Sequence, residues 1–167
     1  MKPVGSFIIA LAALVVGFAC ERSPIEPPPS VITAALLKQT GLLQCSVMPS
    51  QSVKQTIGPA GGTLKIGPHI LVVPPGALVT QVTIAAKSAG GTGNAVALKP
   101  EGLIFLEPAY LTLSYANCNT SGLSASREVA YTTDSLVIIH YVPSSDDAAT
   151  KQVTGRLSHF SNYAVAW

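Results

Sequence analysis

From Val53 to the C-terminus, apolar and polar residues alternate in short runs, and clusters of Gly, Pro, Asn and Ser separate one run from the next. Period-two alternation bounded by turn residues predicts half-buried strands. The runs fall near Gln55 to Ile57, Gly62 to Ile66, His69 to Val73, Val82 to Ala86, Val96 to Lys99, Tyr110 to Tyr115, Glu128 to Thr132, Leu136 to Tyr141, Val153 to Ser158 and Asn162 to Trp167. About ten short strands with few helices predict an all-β, immunoglobulin-like β-sandwich, and ~120 residues suffice to bury its core. The clearest alternation places Leu111, Leu113 and Tyr115 inward against Thr112, Ser114 and Ala116. Between Gly58 and Leu78, Gly61-Gly62 supplies a tight turn, and Pro74-Pro75-Gly76 ends the following strand by removing backbone donors ahead of a turn glycine. There Leu64, Ile66, Ile70 and Val72 are expected to alternate with Lys65, His69 and Leu71.

The first fifty residues follow a different pattern. Lys2 precedes an apolar run, Val4 to Phe18, with Gly17 and Ala19 just before Cys20. This is the layout of a secretory signal, and the run is shorter than the ~20 residues a spanning helix needs. An ordinary signal peptidase could cut after Ala19, but that leaves no reason for the next residue to be cysteine. Val16 to Cys20 resembles a bacterial lipobox, which implies acylation of Cys20. The segment ERSPIEPPPS that follows favours an extended, solvated tether. Val31 to Leu43 then suits a short helix that Gly41 could end. The expected organisation is a signal peptide over 1–19, a lipid anchor and tether over 20–30, a short helix and connector over 31–52, and the sandwich over 53–167.

Loss of the signal would remove Lys2 and lower the formal charge from +2 to +1. Charged residues make up only 11% of the chain and carry mixed sign without a basic stripe, which argues against a nucleic-acid partner. With Cys20 assigned to the lipid, Cys45 and Cys118 are one candidate pair for an oxidising compartment. A bridge would close a loop of roughly seventy residues and contribute on the order of 4 kcal/mol in the chain-entropy model. The alternative is two buried free thiols packing as small hydrophobes.

Two segments carry a family resemblance. One is GPAGGTLKIGPHILVVPPGAL, Gly58 to Leu78; the other is KPEGLIFLEP, Lys99 to Pro108, followed by Tyr110 to Tyr115. Together they resemble a ZU-five domain, the β-sandwich module of ankyrins, netrin receptors and zonula-occludens proteins, with shorter versions in bacterial envelope proteins. The turn Val73 to Leu78 and the spacing of Pro100, Gly102, Phe105 and Pro108 carry the match. The connection Gly90 to Ala95 is short where animal members carry more chain, so the animal partners are not implied. A shared fold transfers architecture better than function. Phe105, between proline-bounded turns, is expected to drop its ring into the sandwich.

In self-cleaving members of this family and its relatives, the cut falls between Phe and Ser of an HFS motif, which here is His159-Phe160-Ser161. The resemblance implies Ser161 as nucleophile on the preceding carbonyl and His159 as base. The competing reading packs one of His159 and Phe160 inward at a strand junction and makes Ser161 an ordinary turn residue. His69 and His140 have no acidic or cysteine neighbour at ligand spacing, so no metal and no cofactor is expected. Asp146-Asp147, between Pro143 and Thr150, lacks the alternating ligands of a calcium loop and reads as a solvated loop. Phosphate-binding and nucleophile-elbow motifs are missing from the sequence. The expectation is an exported, membrane-anchored bacterial lipoprotein of the periplasm or cell surface. Its sandwich is expected to bind an envelope protein or serve structurally, and no small-molecule substrate is expected.

Overall fold

The computed structural model describes residues 41–167; the expected signal segment, Cys20, the tether and residues 31–40 of the expected helix lie outside them. The described residues fold into two antiparallel sheets with no α-helix. One sheet runs in the order β1 (Ser52–Ile57), β4 (Val82–Ser88), β5 (Ala95–Lys99), β11 (Asn162–Ala166), β7 (Glu128–Thr132) and β8 (Ile138–Tyr141). The other runs β2 (Gly62–Ile66), β3 (His69–Val73), β6 (Ile104–Ser114), β10 (Gln152–His159) and β9 (Ser144–Asp147). The all-β sandwich expected from the alternation is thus what forms.

The core lies between the sheets. Leu111, Leu113 and Tyr115 point into it as their alternation predicts, and Leu157, Phe160, Tyr163, Ile84 and Leu98 meet them. Phe105 is buried too, its ring edge-on to Phe160 at 4.9 Å between centroids. The β2–β3 hairpin corrects one expectation. Leu64 and Ile66 are buried, but on β3 the inward residues are His69, Leu71 and Val73, while Ile70 and Val72 face outward. The register explains it: Leu64 pairs with Leu71 and Ile66 with His69, so these side chains share one face.

Turn geometry places the strand ends. Gly61 has φ of 75°, and a Cβ there would lie 2.4 Å from the carbonyl oxygen of Val73, so only glycine fits. Leu136 also has positive φ, 61°, and belongs to the β7–β8 turn, which delays β8 to Ile138. β6 starts six residues earlier than the alternation suggests, because Phe105 to Pro108 join it through a register irregularity opposite Leu157 and His159.

Ser144–Asp147 forms β9, an edge strand on β10, where the sequence suggests a solvated loop. A four-residue polar strand has no apolar alternation to announce it; its backbone pairs because β10 offers a free edge.

Residues 41–51 belong to the same body. Trp167 N–H donates to the Gly41 carbonyl at 3.0 Å and Leu43 N–H to Val165 at 3.1 Å, so Gly41 to Leu43 is extended beside β11. Leu43 is buried, and a disulfide joins Cys45 to Cys118 across 73 positions. The strap therefore adds core residues ahead of the expected domain start.

Candidate functional site

The β10–β11 corner holds the residues of greatest chemical interest. Phe160 is buried by its contact with Phe105, and its backbone is gripped on both sides. Its N–H donates to Leu103 O at 2.8 Å, and its carbonyl accepts from Gly102 N–H at 2.9 Å. Ser161 is buried as well, and its carbonyl accepts from Leu98 N–H at 3.0 Å. The ring of His159 turns elsewhere. It stands edge-on to Tyr131 at 5.1 Å, and its Nδ1 is 3.3 Å from Ser158 Oγ. The three motif residues are neighbours in the chain, but the hydrogen bonds of the described residues do not join the imidazole to Ser161. Tyr163 Oη donates to the His159 carbonyl at 2.7 Å, fixing the strand end, and burial raises the Tyr163 phenol above its ordinary range.

Beside this corner is a cleft of about 350 Å³, bordered by the β8–β9 connection through Val142 and Pro143. Tyr131, His140, Arg156, Ser158 and His159 line it, with Pro108, Val142 and Pro143 as apolar wall. Long-range pairing assembles it. Tyr131 and His140 are cross-strand partners on β7 and β8, and Arg156 N–H donates to Pro143 O at 2.9 Å. Gly155 lets the layers approach, since a Cβ there would meet Val129 at 2.7 Å and Val142 at 2.9 Å. The sequence contains each of these residues but offers no spacing that groups them.

The other chemically suggestive residues lie apart. His69 is buried in the core, where its Nδ1 accepts the Ser114 N–H at 3.2 Å and burial pushes its pKa down to about 4. Among the described residues no group of three or more His, Cys, Asp or Glu gathers as metal ligands would. Asp146 pins the fold: it accepts Tyr115 Oη at 2.6 Å and Arg127 N–H at 2.9 Å. Burial and then this carboxylate push the Tyr115 phenol up to about 12. Asp147 accepts the amides of Ala149 and Thr150, and the Thr150 hydrogen bonds hold its carboxyl below the usual range.

On the outer face of the six-stranded sheet, Lys54, Lys87 and Lys99 surround a trough of about 390 Å³ floored by Ala85 and Ala97. Glu101 neutralises Lys99 there at 2.6 Å. A third surface feature is apolar. Ile104 and Leu106 share a face of β6 and are 74% and 69% exposed. Leu106 N–H donates to Ala77 O, two residues before the equally exposed Val79. No family model matches the sequence, and no curated protein matches it either.

Proposed function

We propose that this chain is an exported bacterial lipoprotein, acylated at Cys20, whose ZU-five-like sandwich binds a protein of the cell envelope or serves there structurally. The observation that carries the binding reading is the exposed apolar face of Ile104 and Leu106, with Val79 beside it. Side chains of that size exposed together on an otherwise well-packed sandwich favour a protein contact. The Cys45–Cys118 disulfide is in keeping with an oxidising compartment outside the cytoplasm. Capture from envelope extracts with the full chain tests the reading. A partner retained by the wild type should be lost with the double substitution Ile104→Ser and Leu106→Ser. No reproducible partner, or capture indifferent to that substitution, counts against it.

Self-cleavage between Phe160 and Ser161 is a second reading, favoured by one contact. The Gly102 N–H on the Phe160 carbonyl stands where a donor would stabilise an oxyanion formed there. On this reading the Ser161 hydroxyl attacks that carbonyl, the Phe160–Ser161 C–N bond breaks and the freed Ser161 amine takes up the hydroxyl proton. Water then hydrolyses the ester to a Phe160 carboxylate and a free Ser161 hydroxyl. Intact mass decides it: the wild type should split into two fragments and Ser161→Ala should not, whereas an uncut wild type sinks the reading.

A further inference from the structure

The cleft between β8 and β10 gathers basic and hydrogen-bonding side chains without an acidic counterpart. His140, His159 and Arg156 line it together with Tyr131 and Ser158, and none of its described lining residues is acidic. Two of the three histidines in the chain therefore meet in one cavity, the third being the core residue His69. Arg156 is exposed and, among the described residues, forms no ion pair. A guanidinium presents a planar fork of N–H donors that matches the two oxygens of a carboxylate or phosphate. An imidazole offers at least one N–H donor in either protonation state. The edge-on contact with Tyr131 fixes the His159 ring at the wall, while the 350 Å³ volume admits a small anion and part of the molecule carrying it.

We propose that this cleft binds an oxyanion, a phosphate or carboxylate group, between Arg156 and the imidazoles of His140 and His159. The lysine-lined trough over β1, β4 and β5, at the other end of the six-stranded sheet, is a weaker candidate, because Glu101 occupies Lys99. The inference goes beyond the protein-binding reading and does not depend on it. Apolar contact at Ile104 and Leu106 is tested by capture, and the cleft is tested by small anions alone.

The test follows the histidine ring signals of the full chain by NMR. The probes are inorganic phosphate, acetate and glycerol 3-phosphate, the last a soluble fragment of a phospholipid headgroup, each at up to ~10 mM against chloride of matched ionic strength. His140 and His159 should shift with saturation, while the buried His69 ring serves as an internal reference that stays still. Phosphate against acetate identifies the oxyanion class, and tighter binding of glycerol 3-phosphate than of inorganic phosphate assigns the source to a headgroup. Arg156→Gln, at an exposed position, should weaken binding by about tenfold, the loss expected for a charge-assisted contact. Shifts no larger than those with chloride overturn the proposal, as does an affinity that Arg156→Gln leaves unchanged. If the variant loses the strand-dispersed amide spectrum of the wild type, His140→Ala provides the same comparison at another exposed position.

Discussion

His69 shows how far one side chain's role depends on its neighbours. In the sequence it is a lone histidine in a strand; in the fold it is buried, with Nδ1 accepting a backbone N–H and a pKa near 4. The unfolded chain protonates it near 6.5, so between those values the unfolded state binds more protons than the folded one. Its contribution to stability is complete above about pH 6.5 and is lost as pH falls toward 4, on the order of 3 kcal/mol in all. Urea unfolding of the wild type between pH 7 and 4 should show that decline, and His69→Asn, which keeps a short acceptor without the titration, should flatten it. Equal slopes in the two proteins would contradict the burial argument. Asp146 makes the same point without titration. Its neighbours in sequence suggest a solvated loop, yet it bonds Tyr115 and Arg127, 31 and 19 positions away. No local pattern encodes a contact at that separation.

At the scale of elements, legibility follows side-chain alternation. β2, β3 and β7 have the boundaries that their alternation and flanking turn residues indicate. β9 is missed because its four residues are polar and its pairing is imposed by the open edge of β10. The face of β3 is misassigned because Ile70 and Val72 look as apolar as Leu71; only the register with β2 decides which of them is inside. Packing between elements adds a constraint at Gly155 on β10, where the backbone approaches Val129 and Val142. Gly155→Ala should destabilise the fold by about 1–3 kcal/mol through overpacking, read as a lower urea midpoint. Adding Val142→Ala should recover part of that loss. A variant as stable as the wild type would show that the layers can part at no cost, and the wall of the cleft would then not be rigidly placed.

For the molecule as a whole, the strap from Gly41 to Gln51 and the disulfide make one unit of segments far apart in sequence. Cys45 and Cys118 close a loop of 73 positions. Replacing both with serine should cost about 4 kcal/mol in the chain-entropy model, and reduction of the wild type should reproduce the loss in denaturant midpoint. A midpoint unchanged by either treatment would mean that the strap is held by Leu43 and its backbone bonds alone. Sequence alone determined the all-β class, most strand positions and the inward set Leu111, Leu113 and Tyr115, and it offered Cys45 and Cys118 as a candidate pair that the fold joins. These depend on local periodicity, turn chemistry and counting, which a linear chain carries openly. Tertiary structure alone decided which face of β3 is buried, that Asp146 is a structural anchor, and that Tyr131, His140, Arg156 and His159 surround one cleft. Those outcomes depend on strand order and register between residues distant in sequence. The free energy that selects them comes from burying both sheets at once, so no single segment encodes it.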